Sequence, residues 1–388
     1  MSFFKRLKEG ITRNVIFIGL VSFFMDTSSE MIFSILPLFL MNVLHATAPI
    51  IGLIEGVAES TASILKFASG WLSDRCGKRK LFLYIGYGFS ALFKPLFALA
   101  NTWPVVLAAR FGDWTGKGIR GTVRDAMLAD SSEKRYRGKV FGLHRVMDKS
   151  GAIAGPLLAM LLFSFLGYKG IFWIAVIPAL LAVLMILPIR VREKCHEEGF
   201  DSKKISFSLK GIDRKYKRFL LIVALFSFAN FSYAFFMLRA QDIGVKPELV
   251  ITMYLFLNIV YSLSAMPFGI LSDRIGRKNV IAAGFFLFTL MMLGFAFATT
   301  VIQAFILFAM YGIFMSIFEG VPKAFVSDLV KEEKRGTALG LFNGITGIIV
   351  LPASLIAGLL WQYANPAMPF FLGAGISVIS LIMLIFFV

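Results

Sequence analysis

Apolar runs of about twenty residues recur along this chain, set apart by short clusters of charge. A run of that length, coiled as a helix, crosses roughly 30 Å of hydrocarbon, and lipid offers its backbone no hydrogen-bond partner outside the helix. Charged residues make up 16% of the 388 and apolar residues 58%; a soluble domain carries roughly 25% charged residues. Mean hydropathy is +0.78. The pattern predicts an all-α membrane protein with twelve spanning helices. They are placed near residues 14–41, 48–72, 81–101, 103–128, 139–166, 170–189, 218–240, 248–271, 280–299, 301–327, 337–362 and 366–387.

Loop charge orients them. With the first residues inside, the inner segments carry nearly all the loop Lys and Arg, whereas the outer ones hold Lys169, Lys246 and Arg239. That bias predicts both termini in the cytoplasm and residence in the cell membrane, inner or plasma. The longest polar stretch, 191–217, is expected to be a cytoplasmic basic linker between six-helix bundles at 1–190 and 218–388. The net charge of +17 is then explained by membrane orientation and anionic lipid head groups. Nucleic acid is not expected as a partner, since no soluble basic face exists to bind it. Cys76 and Cys195 show no zinc or disulfide spacing. A cleaved leader is not expected, because Asp26 and Glu30 interrupt the first apolar run.

The two halves repeat. Residues 70–80 read GWLSDRCGKRK and residues 269–279 read GILSDRIGRKN, an offset of 199. RGKVFGL from Arg137 and RGTALGL from Arg335 match at 198, as do Asp130 and Asp328. Duplicated six-helix units are an arrangement in which transporters place a site at mid-membrane. The glycines suit a tight turn and close helix approach, and Asp74 and Asp273 are placed to cap or face a neighbouring helix. This loop resembles the signature loop of the major facilitator superfamily, and the resemblance covers nearly the whole chain. It implies a cytoplasmic gate at Gly70, Asp74, Arg75, Gly77 and Arg79, and again at Gly269, Asp273, Arg274, Gly276 and Arg277. Gly142, Gly151, Gly155 and Pro156 on the fifth helix are similar to the superfamily's antiporter motif, which usually ends in two small residues; here those positions are Ala159 and Met160. The segment from Arg110 to Ser131 also resembles a group of prokaryotic members.

A charge at bilayer depth costs at least about 2.5–3.5 kcal/mol on insertion scales, yet the first half carries many. Arg110, Asp113, Lys117, Arg120 and Arg124 step by three and four residues, so they share an arc of about 80° on the fourth helix. Such a stripe must face protein or water. Asp26 with Glu30, and Glu55 with Glu59, each sit one turn apart, and His144 pairs with Asp148 on the fifth helix. Toward the inner end, Arg120, Arg124, Asp125, Arg145, Asp148 and Lys149 read as a structural network. Asp26, Glu30, Glu55, Glu59, Arg110, Asp113 and Lys117 are the candidates for proton coupling. By resemblance, Arg110 also matches a helix-four arginine that the superfamily associates with proton transfer.

In the second half, Asn230, Tyr233, Phe236, Asn258, Tyr261, Tyr311 and Glu319 are the candidate lining of an aromatic, weakly polar substrate cavity. No phosphate-binding loop, catalytic triad spacing or metalloprotease motif occurs, so the chain is not expected to be an enzyme or to hold a metal or cofactor. The reading is a monomeric secondary transporter of small molecules by alternating access. It is expected to be a proton-coupled exporter of amphipathic or drug-like compounds; the alternative is uptake or facilitated transport of a metabolite or metal chelate.

Overall fold

The computed structural model describes residues 11–76, 78–190, 213–331 and 334–388; the side chains at 67, 70, 71, 74, 75 and 134 lie outside that description. Most of the 191–217 linker, residues 191–212, therefore falls outside it. Its last residues, Arg214 to Lys217, form the first turn of a helix whose N-cap is Asp213, with Oδ1 accepting from Lys215 N at 2.8 Å.

The helices are α1 (Arg13–Phe33), α2 (Leu36–Asn42), α3 (Ala48–Cys76), α4 (Arg79–Leu99), α5 (Trp103–Asp130) and α6 (Arg137–Leu184). They continue as α7 (Arg214–Ala229), α8 (Ala234–Asp242), α9 (Pro247–Ile275), α10 (Arg277–Phe297), α11 (Val301–Leu329), α12 (Arg335–Tyr363) and α13 (Met368–Phe387). Among the described residues, ten helical segments are long and apolar enough to cross a membrane. One of them, α6, runs for 48 residues and turns at Gly167 (φ 61°), a conformation that L side chains resist, so it supplies the expected fifth and sixth helices. The 28 residues of α5 exceed a bilayer's length, but its charges keep it out of those ten.

Two expected spans are not continuous. The first breaks between α1 and α2 at Ser34–Ile35. Pro37 explains it: its nitrogen carries no proton to give to the preceding turn, and its ring disfavours the helical conformation of the residue before it. The seventh breaks between α7 and α8 over 230–233, where no proline stands. There Ser232 N donates to Ser354 Oγ at 3.1 Å and Ala234 N to Ser232 Oγ at 3.3 Å. Side chains thus satisfy backbone groups that lipid would leave unpaired.

Two compact units emerge, Met1–Leu36 with Thr61–Asp201 and Pro37–Ser60 with Ser202–Val388. In the first, α1 lies against α6 at close range. A Cβ on Gly151 would sit 2.4 Å from the Phe23 carbonyl, and one on Gly155 2.6 Å from the Thr27 carbonyl. Small residues at such a crossing let backbones approach, which is how helices associate in lipid. Asn14 ties the unit shut: its Nδ2 donates to Arg190 O at 2.6 Å and its Oδ1 accepts from Arg190 N at 3.0 Å. In the second unit the start of α3 packs on α12 by the same device. Gly52 meets the Ser354 carbonyl, Gly358 meets that of Ala48, and Ser60 Oγ donates to Gly347 O at 2.8 Å.

The repeat is visible in register. α3 and α9 correspond at an offset of 199; from the next helix on, α4 with α10, α5 with α11 and α6 with α12 correspond at 198. The difference arises in the signature loop. Gly77 and Lys78 separate α3 from α4, whereas Gly276 alone (φ 92°) separates α9 from α10.

Gly155→Val forces a branched side chain against the α1 backbone and is expected to destabilise by about 1–3 kcal/mol. Gly142, with nothing within 4 Å of its Cβ position, should accept alanine with an unchanged melting temperature in detergent.

Candidate functional site

The basic stripe of α5 is turned into the first unit. Arg110 is 0% exposed, Asp113 2% and Arg120 4%. Lys117 and Arg124 are partly buried. Spacing alone placed these residues on one face, and the fold puts that face inside.

Three groups of contacts line it. The first joins α1, α4 and α5: Lys94 Nζ lies 3.8 Å from Asp113 Oδ1 and donates to Ser29 Oγ at 3.0 Å, with both charged side chains almost fully buried. Beside it Arg120 donates to Ser90 Oγ and lies 4.8 Å over the Tyr87 ring, and Ser90 Oγ donates to the Asp113 carbonyl at 2.8 Å.

The second group centres on Ser22 of α1. Its hydroxyl is hydrogen-bonded to His144 Nε2 at 2.8 Å and lies 3.4 Å from Tyr87 Oη; Arg124 Nη1 also reaches it at 3.4 Å. Arg124 Nη1 donates to Asp148 Oδ1 at 3.2 Å and its Nε to Asp125 Oδ1 at 3.2 Å. The Asp148 carboxyl group on α6 also comes close enough to that of Asp26 on α1 for the two to interact. Two carboxylates brought together repel, and a proton shared between them relieves the repulsion.

The third group is aromatic. Arg110 Cζ stands 3.8 Å from the centroid of Phe33 and 4.9 Å from that of Trp114; Lys117 Nζ stands 4.3 Å from Trp114 and 5.9 Å from Phe33. Cations over ring faces are held by the ring quadrupole, more strongly where water is excluded.

Of the proton-coupling candidates, the first unit therefore gathers Asp26, Glu30, Arg110, Asp113 and Lys117. Glu55 and Glu59 belong to the second compact unit instead, on the part of α3 that packs with α12. Arg145, expected in the inner network, is exposed, whereas His144 is buried within it. Trp114 escaped the sequence reading; its position one residue beyond Asp113 on the stripe was the available signal.

The second-unit candidates fall on different parts of that unit. Phe236 and Tyr311 are buried and pack at 4.5 Å within a cluster that includes Phe295 and Phe370. Tyr233 pairs with Tyr254 at 5.4 Å. Asn258 donates to Tyr254 O at 3.1 Å and is buried, as is Tyr261. Asn230 caps α7, and Glu319 is partly buried on α11.

The gate residues are described in part. Gly70 and the side chains of Asp74 and Arg75 lie outside the described positions, and Gly77 wholly so. Arg79 pairs with Asp130, and Arg277 Nε with Asp328 Oδ2 at 2.9 Å, the same contact 198 residues on. Asp273 is largely exposed and lies 3.6 Å from Arg277 Nη2 on the next helix; Arg274 is exposed. Lys80 Nζ donates to the carbonyls of Leu187 and Ile189, and Lys278 Nζ to that of Ile385 at 3.0 Å. The motif bases thus hold carbonyls at the end of the last helix of each half, where a cation also favours the helix dipole. Gly269 and Gly142 have open space where a Cβ would stand, so the expected close approach does not occur at either. Pro156 is buried in α6.

Duplicated bundles with broken first helices and a charged interior define a polytopic transporter. The sequence profile described as the Major Facilitator Superfamily matches residues 18–241 and 219–388. An uncharacterised MFS-type transporter of Methanocaldococcus jannaschii is 40% identical over 385 residues, covering 97% of this chain and 95% of that one. The chain belongs to the Major Facilitator Superfamily and is a multi-pass secondary transporter with a small-molecule substrate. The fold is similar to that of the nucleoside transporter NupG, with a TM-score of 0.75, 16% identity and coverage of 96% of this chain and 98% of that one. It is also similar to a D-xylose–proton symporter, with a TM-score of 0.78, 13% identity and coverage of 96% and 97%.

Removing one member of a buried ion pair strands the other's charge, at a cost of about 3–5 kcal/mol. Lys94→Met and Asp113→Leu should each lower unfolding stability by about that much, and the double variant by less than either. A thermodynamic cycle of unfolding in detergent measures it.

Proposed function

We propose that this protein couples transport to protons through the Asp26–Asp148 pair, and exchanges protons entering the cell for a small amphipathic compound leaving it. The approach of the two carboxyl groups where α1 and α6 cross, with the Asp26 Cβ 3.2 Å from the position a Gly151 Cβ would take, supports this reading. A proton that holds two helices together is released when they part, and the like charges then left behind favour separation. Asp26 is on α1 and Asp148 on α6, so loss of the proton acts on the crossing that Gly151 and Gly155 keep close. Arg124 beside Asp148 is placed to take up the carboxylate when the proton leaves.

Exchange is favoured over symport by the place of the antiporter-like motif. Two of its glycines pack on the turns of α1 that carry Asp26 and Glu30, the Cβ of Glu30 lying 2.8 Å from the position a Gly155 Cβ would take. The protein acts as a monomer in the cell membrane, with both termini in the cytoplasm.

The test is a substrate screen in liposomes read by internal pH. Lumen acidification in step with release of a compound is the expected signature. Asp26→Asn and Asp148→Asn should each cut proton movement by about tenfold or more; Asp26→Asn should leave the melting temperature near that of the wild type, whereas Asp148→Asn, which also weakens the Arg124 pair, should lower it. Full proton movement in both variants would remove the pair from the mechanism; proton and compound moving in the same direction would replace exchange with symport.

A further inference from the structure

We propose that the Trp114–Lys117 face of α5, with Arg110 beside it, binds the acidic head group of an organic anion. The cargo would then be an amphipathic acid, a carboxylate or similar monoanion on an apolar body. This deepens the transport reading above and rests on it for the word cargo; the binding site itself stands without any assumption about protons.

Three observations converge on one indole. The Nε1–H of Trp114 is buried and has no acceptor among the described residues, a state that costs free energy unless something else accepts the bond. Lys117 Nζ lies 4.3 Å from the same ring. Unlike Lys94, which faces Asp113, and Arg124, which faces Asp148 and Asp125, Lys117 has no carboxylate within ion-pair distance among the described residues. An acid that acts on it at longer range, Asp26, also interacts with Asp148. Near the same rings stands the fully buried Arg110, 4.9 Å from Trp114 and 3.8 Å from Phe33.

A neutral or cationic ligand satisfies none of this. A cation would be repelled by the Lys117 ammonium. A neutral acceptor could take the indole proton but would leave the ammonium resting on π electrons alone. An anionic oxygen accepts from Trp114 Nε1–H and pairs with Lys117, and charge-assisted bonds of this kind are about twice as strong as neutral ones. Lys117 and Trp114 are partly exposed, whereas Arg110 and Phe33 behind them are sealed. Lys117 and the indole N–H of Trp114 are the donors offered to the ligand. The apolar body of such a ligand has Phe33 and the indole to lie against.

Equilibrium binding to the detergent-purified protein, with no proton gradient, tests this separately from coupling. Three probes of similar shape and different charge serve: 2-naphthoate, 2-naphthamide and 2-naphthylmethylamine. Naphthoate should bind at least about tenfold more tightly than the other two. Lys117→Gln should erase that advantage and Lys117→Arg should keep most of it. In parallel, the Trp114 fluorescence, taken as the difference between wild type and Trp114→Phe, should be quenched more by iodide than by caesium, and the preference should fall in Lys117→Gln. This second readout needs no fitted ligand and decides the matter if no naphthalene probe enters. Equal quenching by both ions, or naphthoate affinity unmoved by Lys117→Gln, overturns the anion site. Anion selectivity that persists while Asp26→Asn leaves proton movement intact would overturn the coupling reading and keep this one.

Discussion

A charged side chain in a lipid-crossing helix must find its partner inside the protein, and the first unit is organised by that requirement. Five ionisable residues on one face of α5 would make the helix uninsertable if that face met hydrocarbon. Facing inward, they are matched one by one: Asp113 by Lys94, Arg124 by Asp148, Arg120 by Ser90 and the Tyr87 ring, Arg110 and Lys117 by Phe33 and Trp114. Most of the partners come from α1, α4 and α6, so each such pairing is also a tertiary restraint. Charge satisfaction and helix packing are here one problem, with glycines at 151 and 155 bringing α6 near enough to α1 for Asp148 to meet Asp26.

The second unit solves packing in another way. Its interior is aromatic, with Phe226 stacked on Phe285 at 4.0 Å and Phe231, Phe236, Phe295 and Phe370 meeting in stacked, tilted and edge-on contacts. Rings fill volume without polar atoms that lipid would leave unsatisfied. The duplication is kept in the frame and abandoned in the interior. Helix starts, the Arg79–Asp130 and Arg277–Asp328 pairs, and the lysines that hold the carbonyls at each last helix all recur. Among the described residues, the buried ionic network lies in the first copy.

The first helix of each copy is discontinuous. A broken spanning helix exposes backbone groups that need outside partners, and transporters use such breaks where a pathway opens. At Ser34–Ile35 the break is written locally, by Pro37. At Asn230–Tyr233 it is held by a side chain 122 residues away, Ser354, and nothing in the local sequence announces it. The two breaks thus differ in origin, one intrinsic to its segment and one imposed by tertiary contact.

The sequence by itself determined the helical class, the duplication, the inward face of α5 and the motif loops, because each depends on local periodicity or on the cost of charge in lipid. A spacing of three and four residues is enough to say that Arg110, Asp113, Lys117, Arg120 and Arg124 share a face. It cannot say which acid from another helix each base meets, since that depends on how near the helices pass and how they are rotated. Only the tertiary structure decided that Asp26 approaches Asp148, that the stretch of α3 carrying Glu55 and Glu59 packs with α12 through Gly52, Gly56 and Ser60, and that Trp114 carries two cations on its ring. Those pairings are distances between segments far apart in the chain, and no local pattern encodes a distance.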